Sequence, residues 1–153
     1  MRGLMVLAVT IGLLGGTAAA GQSPEVIFVR SSDDAEAERV VRDLWGRELD
    51  RARAVSPDHA RFFVSRLDLG GPFRIAVAAM GDSVSFCGSA GCAVVIFAYR
   101  GDTGQWSRVL DAIGNSVAVD AAGGTNLRPA DVVIDGVRHS FDAVRSVYVE
   151  SLQ

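Results

Sequence analysis

The side chains best suited to nucleophilic, redox or metal chemistry are few. The chain has two cysteines, Cys87 and Cys92, two histidines, His59 and His139, and a serine, Ser89, between the cysteines. Dithiol oxidoreductases place C-x-x-C at a helix N-terminus, where the thiolate is stabilised. Here the spacing is C-x-x-x-x-C, and an apolar, strand-forming run over residues 93–97 follows. Two cysteines and two distant histidines also make a poor zinc set. The run Cys87-Gly88-Ser89-Ala90-Gly91 misses the first glycine of the nucleophile elbow G-x-S-x-G, and that motif needs a helix after the turn rather than a strand. Cys87-Gly88-Ser89 shares letters with the papain-type signature, but there the catalytic cysteine follows the Gly-Ser pair. The catalytic alternative that survives is a small hydrolase using Ser89 or Cys87 as nucleophile and His139 as base, which requires hydrogen-bond reach between them.

The simpler reading of the same stretch is structural. An exported chain with two cysteines forms one disulfide, Cys87–Cys92. Gly88 and Gly91 give the backbone freedom of a tight turn. Closing so short a loop restricts the unfolded chain by about 2 kcal/mol. The clamped residues Gly88, Ser89, Ala90 and Gly91 then form a candidate recognition tip, stiff before any partner arrives. Arg100-Gly101-Asp102, with Thr103-Gly104 after it, reads as a hairpin turn rather than an adhesion motif. His59 and His139 stand alone in polar surroundings, and no phosphate-cradling glycine loop is present. The sequence therefore implies no catalytic set, no cofactor and no metal. Arg66, Arg74, Tyr99 and Trp106 are the arginines and aromatics that one concave recognition site could gather.

The elements that must position these residues follow from pattern. Residues 1–20 read as a cleaved leader: Arg2, an apolar stretch over residues 4–14, and Ala18-Ala19-Ala20 before Gly21. That stretch is too short to cross a hydrocarbon core of about 30 Å as a helix. Residues 21–153 are one domain by size, with a periplasmic or secreted destination. The net charge of −3 carries no basic stripe, so neither nucleic acid nor, once the leader is removed, a membrane surface is expected as a partner. All 15 basic residues are arginine, which accords with the abundance of Ala, Gly, Val and Asp as a bias of GC-rich coding.

Residues 25–30 read as a first strand. An amphipathic helix follows, capped by Ser32 or Asp33, with Glu36 at capping-box spacing from Asp33, and ending near Ala54 ahead of Pro57. Its apolar stripe is Ala37, Val40, Val41, Leu44, Trp45, Leu49 and Ala52, and Gly46 suggests a close approach to a sheet. Strands are expected over 61–68, 73–80, 93–99, 105–110, 117–119, 131–135, 138–141 and 144–149. Phe73, Ile75, Val77 and Ala79 share a face of the second of these. The continuous apolar run from Ala93 predicts a central strand buried on both faces. The fold class is α+β: one helix packed on a twisted antiparallel, meander-like sheet or half-barrel, with one disulfide.

Asp68-Leu69-Gly70-Gly71, an apolar strand, the C-G-x-x-G-C turn, a second apolar strand and the Gly104-Gln105-Trp106 return strand together resemble a type of small exported bacterial protein of unknown function. The resemblance spans residues 62–135. It implies a β-rich fold and export, and no activity. In that type the first loop often has a D-x-N-G-D-G form suited to calcium. Here only Asp68, Gly70 and Gly71 stand at its positions and the later acids are missing, too few oxygens for that ion. The leading expectation is an exported, disulfide-stapled, non-catalytic binding module whose ligand the sequence does not name; an inhibitor or immunity protein that acts on another envelope protein is one form of it. A structural envelope protein assembling through sheet edges is a further alternative.

Overall fold

The asymmetry of the chain, one long helical stripe followed by short strands, is resolved by a sheet that is covered on both faces. The computed structural model describes residues 23–151; the leader read over residues 1–20 lies outside them. The helix α1 spans Ala35–Val55. Its buried stripe is Ala37, Val40, Val41, Trp45, Leu49 and Ala52, as the 3.6-residue spacing predicts. Burying each large member of that stripe contributes on the order of 1.5–3 kcal/mol. The outer face is stitched by ion pairs one turn apart, such as Arg42–Glu38 at 2.6 Å and Arg39–Asp43 at 3.5 Å.

The cap differs from expectation. Ser31–Asp33 form a single 3-10 turn, so the cap moves to Asp34, whose carboxylate accepts the Ala37 N–H at 3.1 Å. Glu36 does not close a capping box; it pairs instead with Arg66, 2.9 Å away. Gly46 is not a point of close approach, because a Cβ added there would meet nothing within 4 Å. The helix ends where Ser56 becomes extended, one residue before Pro57.

The first sheet is antiparallel and holds β1 (Val29–Arg30), β2 (Phe62–Leu67), β3 (Ala76–Gly81), β4 (Cys87–Gly88), β5 (Gly91–Arg100) and β6 (Gln105–Gly114). β5 is the central strand. β3 and β4 pair along one edge of it and β6 along the other. Val95 and Phe97 face the helix with Val64, Val77 and Ala79; Val94, Ile96 and Ala98 face the opposite way. The second sheet is an antiparallel meander of β7 (Val117–Asp120), β8 (Asp131–Ile134), β9 (Val137–Asp142) and β10 (Val147–Glu150). Its Val117, Val132, Ile134 and Tyr148 close the core on that opposite face. The fold class is thus α+β, with the strands divided between two sheets.

Three strands begin three or more residues later than the pattern predicts; the last, expected from Val144, begins at Val147 because residues 143–146 form a turn. Of residues 25–30 only Val29 and Arg30 pair with β2, while Glu25 bridges Ala118 and Val26 donates to the Val117 carbonyl at 2.7 Å. This segment therefore laces the two sheets together. β3 begins at Ala76, so Phe73 and Ile75 do not share a face with Val77 and Ala79. Phe73 enters the core between the sheets, edge-on to Phe141 at 5.0 Å, and Ile75 is 58 % exposed. The cause is the Gly70-Gly71-Pro72 turn: both glycines have positive φ, and the Phe73 N–H still bonds back to the Gly70 carbonyl.

Candidate ligand-binding cleft

The cysteine turn is built as a staple. Cys87 pairs with Cys92 and Gly88 with Gly91 in the ladder, and the two sulfurs are joined. Ser89 and Ala90 make the exposed tip with Gly88. Gly91 does not belong to that tip. It is buried with φ +121°, and a Cβ there would lie 2.7 Å from the Gly114 backbone. Of the hydrolase candidates, Cys87 is held in the disulfide, and Ser89 sits on a two-residue turn that enters β5. His139 lies on β9 of the second sheet, its Nδ1 3.1 Å from the Val137 carbonyl, so its hydrogen bonding is local to its own strand. Sequence reasoning missed a different pair: the Ser85 hydroxyl lies 3.1 Å from His59 Nδ1, at the rim of a shallow concavity beside Asp82 and Cys87. His59 already uses its carbonyl to accept the Ser83 hydroxyl at 2.7 Å, which pins the loop to the end of the helix.

A more defined concavity lies at the other end of the sheet. There the first turns of α1 stand over the start of β3, and a cleft of about 300 Å³ opens between them. Arg66, Arg74 and Trp106 line it, with Val40, Ile75 and Val77 as its apolar surface. Each arrives by register. Arg66 is opposite Val77 on β2, on the helix side of the sheet. Trp106 is opposite Tyr99 in the β5–β6 hairpin, their rings 5.6 Å apart. Tyr99 lines an adjoining concavity of about 430 Å³ with Pro72 and Asp102, and Arg74 and Ile75 border both.

The charges around the cleft are unequal in their freedom. Arg66 holds Asp34 bidentately, with Nε and Nη2 each at 2.7 Å, and its Nη1 reaches Glu36 at 2.9 Å. These bonds hold the Asp34 carboxyl well down, at about 2 against an ordinary 3.8, with the Ala37 N–H as the next cause. They also raise the Arg66 guanidinium above its ordinary value. Arg100 pairs with Asp102 at 3.0 Å, which lowers the Asp102 carboxyl. Arg74 makes no ion pair and no side-chain hydrogen bond among the described residues.

The loop before β3 fixes the backbone on either side of Arg74, whose side chain is exposed. Asp68 accepts the Gly70 N–H at 2.8 Å, Leu69 N–H bonds to the Phe73 carbonyl at 3.0 Å, and Ala130 N–H bonds to the Leu69 carbonyl at 2.6 Å. Tyr99 N–H then takes the Ile75 carbonyl at 2.9 Å. The segment that the resemblance aligns with a calcium loop is thus a folded turn, and its one carboxylate is committed to its own backbone. Among the described residues no cluster of three or more His, Cys, Asp or Glu side chains is placed to hold a metal, and no helix is long and apolar enough to cross a membrane. The formed disulfide fits an oxidising compartment. No protein-family model matches the chain, and neither the curated proteins nor the solved structures contain a significant match to it.

Proposed function

We propose that this chain is an exported, non-catalytic binding module, delivered to the periplasm or the medium by cleavage of the leader over residues 1–20, and that the cleft between α1 and the start of β3 is its binding site. The observation that carries the reading is the convergence of Arg66, Arg74 and Trp106 on one apolar concavity. At about 300 Å³ it stands at the lower end of the range for small-molecule sites, about 300–1,000 Å³. Its walls come from α1 and from β2, β3 and β6, with Arg74 and Ile75 on the bend before β3, so most of the site is formed before the ligand arrives and little ordering entropy opposes binding.

Trp106 is half-buried at the cleft, whereas Trp45 is buried under the helix against Phe86. A small-molecule screen read by thermal shift, followed by titration of tryptophan fluorescence, tests the reading. Ligands are expected to perturb Trp106 emission, and Trp106→Ala is expected to abolish their binding while the fold persists. Hits that bind Trp106→Ala as well as the parent chain would place recognition elsewhere.

A second reading stands on the exposure of Ser89 and Ala90 at the stapled turn. A stiff, small-residue tip suits insertion into a partner's cavity, as an inhibitor or immunity protein would do with another envelope protein. Capture of a partner from periplasmic extract by the parent chain, undiminished by Ser89→Trp, would remove the tip from consideration.

A further inference from the structure

Granting that the cleft is the binding site, we infer that its ligand is a carboxylate carrying a compact apolar body, and that Arg74 is the residue that recognises the carboxylate. Two guanidinium groups, Arg66 and Arg74, line the two adjoining concavities, and the first is occupied. All three nitrogens of Arg66 face Asp34 or Glu36 at 2.7–2.9 Å. Arg100 is held by Asp102 through Nε and Nη2. Arg74 stands between the concavities with no acidic partner among the described residues. The acids at the rim, Asp34, Glu36 and Asp102, are each already paired with an arginine of the chain. An incoming anion therefore meets one unpaired cation and no unpaired anion. A guanidinium offers a planar fork of N–H donors that matches a carboxylate two bonds at a time, and the hydrogen bonds so formed are the strong, charge-assisted kind.

The apolar half of the ligand follows from the surface beside Arg74. Ile75 is 58 % exposed, next to the half-buried Trp106 ring and the aliphatic floor of Val40 and Val77. Ile75 is held in that exposed position because its carbonyl accepts the Tyr99 N–H. Covering it would recover hydrophobic stabilisation that the free protein forgoes. The volume, about 300 Å³, at the lower end of the range for small-molecule sites, sets the ligand as small. That chemistry describes a small free organic acid or the C-terminal carboxylate of a peptide whose last side chain is apolar.

The test titrates Trp106 fluorescence, with calorimetry in parallel, against three acids (benzoate, phenylacetate, hexanoate) and their primary amides. A short acetylated peptide ending in leucine is added, as free acid and as amide. Acids are expected to bind at least about 10-fold more tightly than the matching amides, the discrimination a charge-assisted hydrogen bond provides. Arg74→Met is expected to erase that preference, Arg74→Lys to retain part of it, and Ile75→Ser to weaken acid and amide alike. The Arg74 side chain has no partner among the described residues, so its variants should keep the parent melting temperature. Binding by the free acids alone, or by the peptide acid alone, identifies the source of the carboxylate. Equal binding of acid and amide, unchanged by Arg74→Met, overturns this inference and leaves the cleft as a neutral apolar site. Acids that bind Trp106→Ala as well as the parent overturn the cleft reading itself. Should none of these acids bind while a neutral ligand from the screen does perturb Trp106, the carboxylate inference alone falls; if nothing perturbs Trp106, both fall.

Discussion

Asp34 joins the start of α1 to β2, and replacing it in two ways separates its two tasks. Its carboxylate caps α1 by accepting the Ala37 N–H, and it receives two hydrogen bonds from Arg66 on β2. Asp34→Asn keeps a side chain that caps as well as aspartate and removes the charge; Asp34→Ala removes both. Loss of an N-cap costs about 1 kcal/mol. The fall of the Asp34 carboxyl from 3.8 to about 2 corresponds on its face to roughly 2.5 kcal/mol at 1.36 per unit. But the Arg66 side chain is 55 % exposed, and solvent screens such a pair to about 1 kcal/mol at most. Asp34→Asn should therefore lose about 1 kcal/mol and Asp34→Ala about 2 kcal/mol in urea denaturation followed by circular dichroism at pH 7.

The pH dependence has a fixed sign. A carboxyl whose folded-state value is depressed stabilises fully above its unfolded value, and the stabilisation is lost as pH falls towards the folded value. The difference between the parent chain and Asp34→Asn should hold above pH 4 and vanish between about pH 4 and pH 2. An Asp34→Asn chain as stable as the parent at pH 7, or with the parent's acid profile, would show that the Arg66 pair contributes nothing and that the cap alone fixes the helix start.

Gly91→Ala should cost about 3 kcal/mol or prevent folding, since it combines a positive φ with a Cβ driven into the Gly114 backbone. Gly88→Ala, where the added Cβ meets nothing within 4 Å, should stay within about 0.5 kcal/mol in the same denaturation experiment. The Cys87→Ser/Cys92→Ser double variant should lose about 2 kcal/mol and keep its fold, because the ladder pairing of these positions does not depend on the sulfurs. Burial raises the Tyr148 phenol well above its ordinary 10.0, and its hydroxyl donates to the Ala130 carbonyl at 2.7 Å. The folded state keeps that proton while the unfolded state releases it, so stability should fall as pH rises above about 10, and Tyr148→Phe should remove this component of the decline.

What the sequence revealed depended on whether the deciding contact was local. The helix was legible to within a residue or two because its stripe, from Ala37 to Ala52, repeats over about four turns. Its cap was not, because the partner that fixes Asp34 is Arg66, 32 positions away. The central strand was legible from its unbroken apolar run. The division of the strands into two sheets was not, since nothing in a period-2 pattern tells which layer a strand joins. The staple was legible from Cys87, Cys92 and the glycines between them. That Gly91 belongs to the interior was not, because its close neighbour, Gly114, comes from the far end of the following strand. Arg66, Arg74, Tyr99 and Trp106 could be named as types suited to recognition, and three of them share one cleft with the fourth beside it. Their meeting is a consequence of register between β2, β3, β5 and β6, which only the folded sheet sets.

The clearest failure of the pattern carries the most weight. Phe73 and Ile75 alternate correctly for a strand, yet the chain spends them on an anchored bend, with Phe73 as the buried peg and Ile75 left in water. Other apolar side chains are exposed singly, among them Leu127 and Val144, and single exposed apolar residues are ordinary. Ile75 differs in its company: a half-buried tryptophan on one side, an arginine without a partner on the other, and a cavity between them. Sequences that specify one fold keep local preference and tertiary structure in agreement except where function requires otherwise. In this chain that disagreement, the unpaired Arg74 and the cleft coincide within a few residues of one another. The turn from Asp68 to Pro72, with its glycines at positive φ and its closely spaced backbone hydrogen bonds, is then best understood as the device that holds Arg74 and Ile75 out over the cleft.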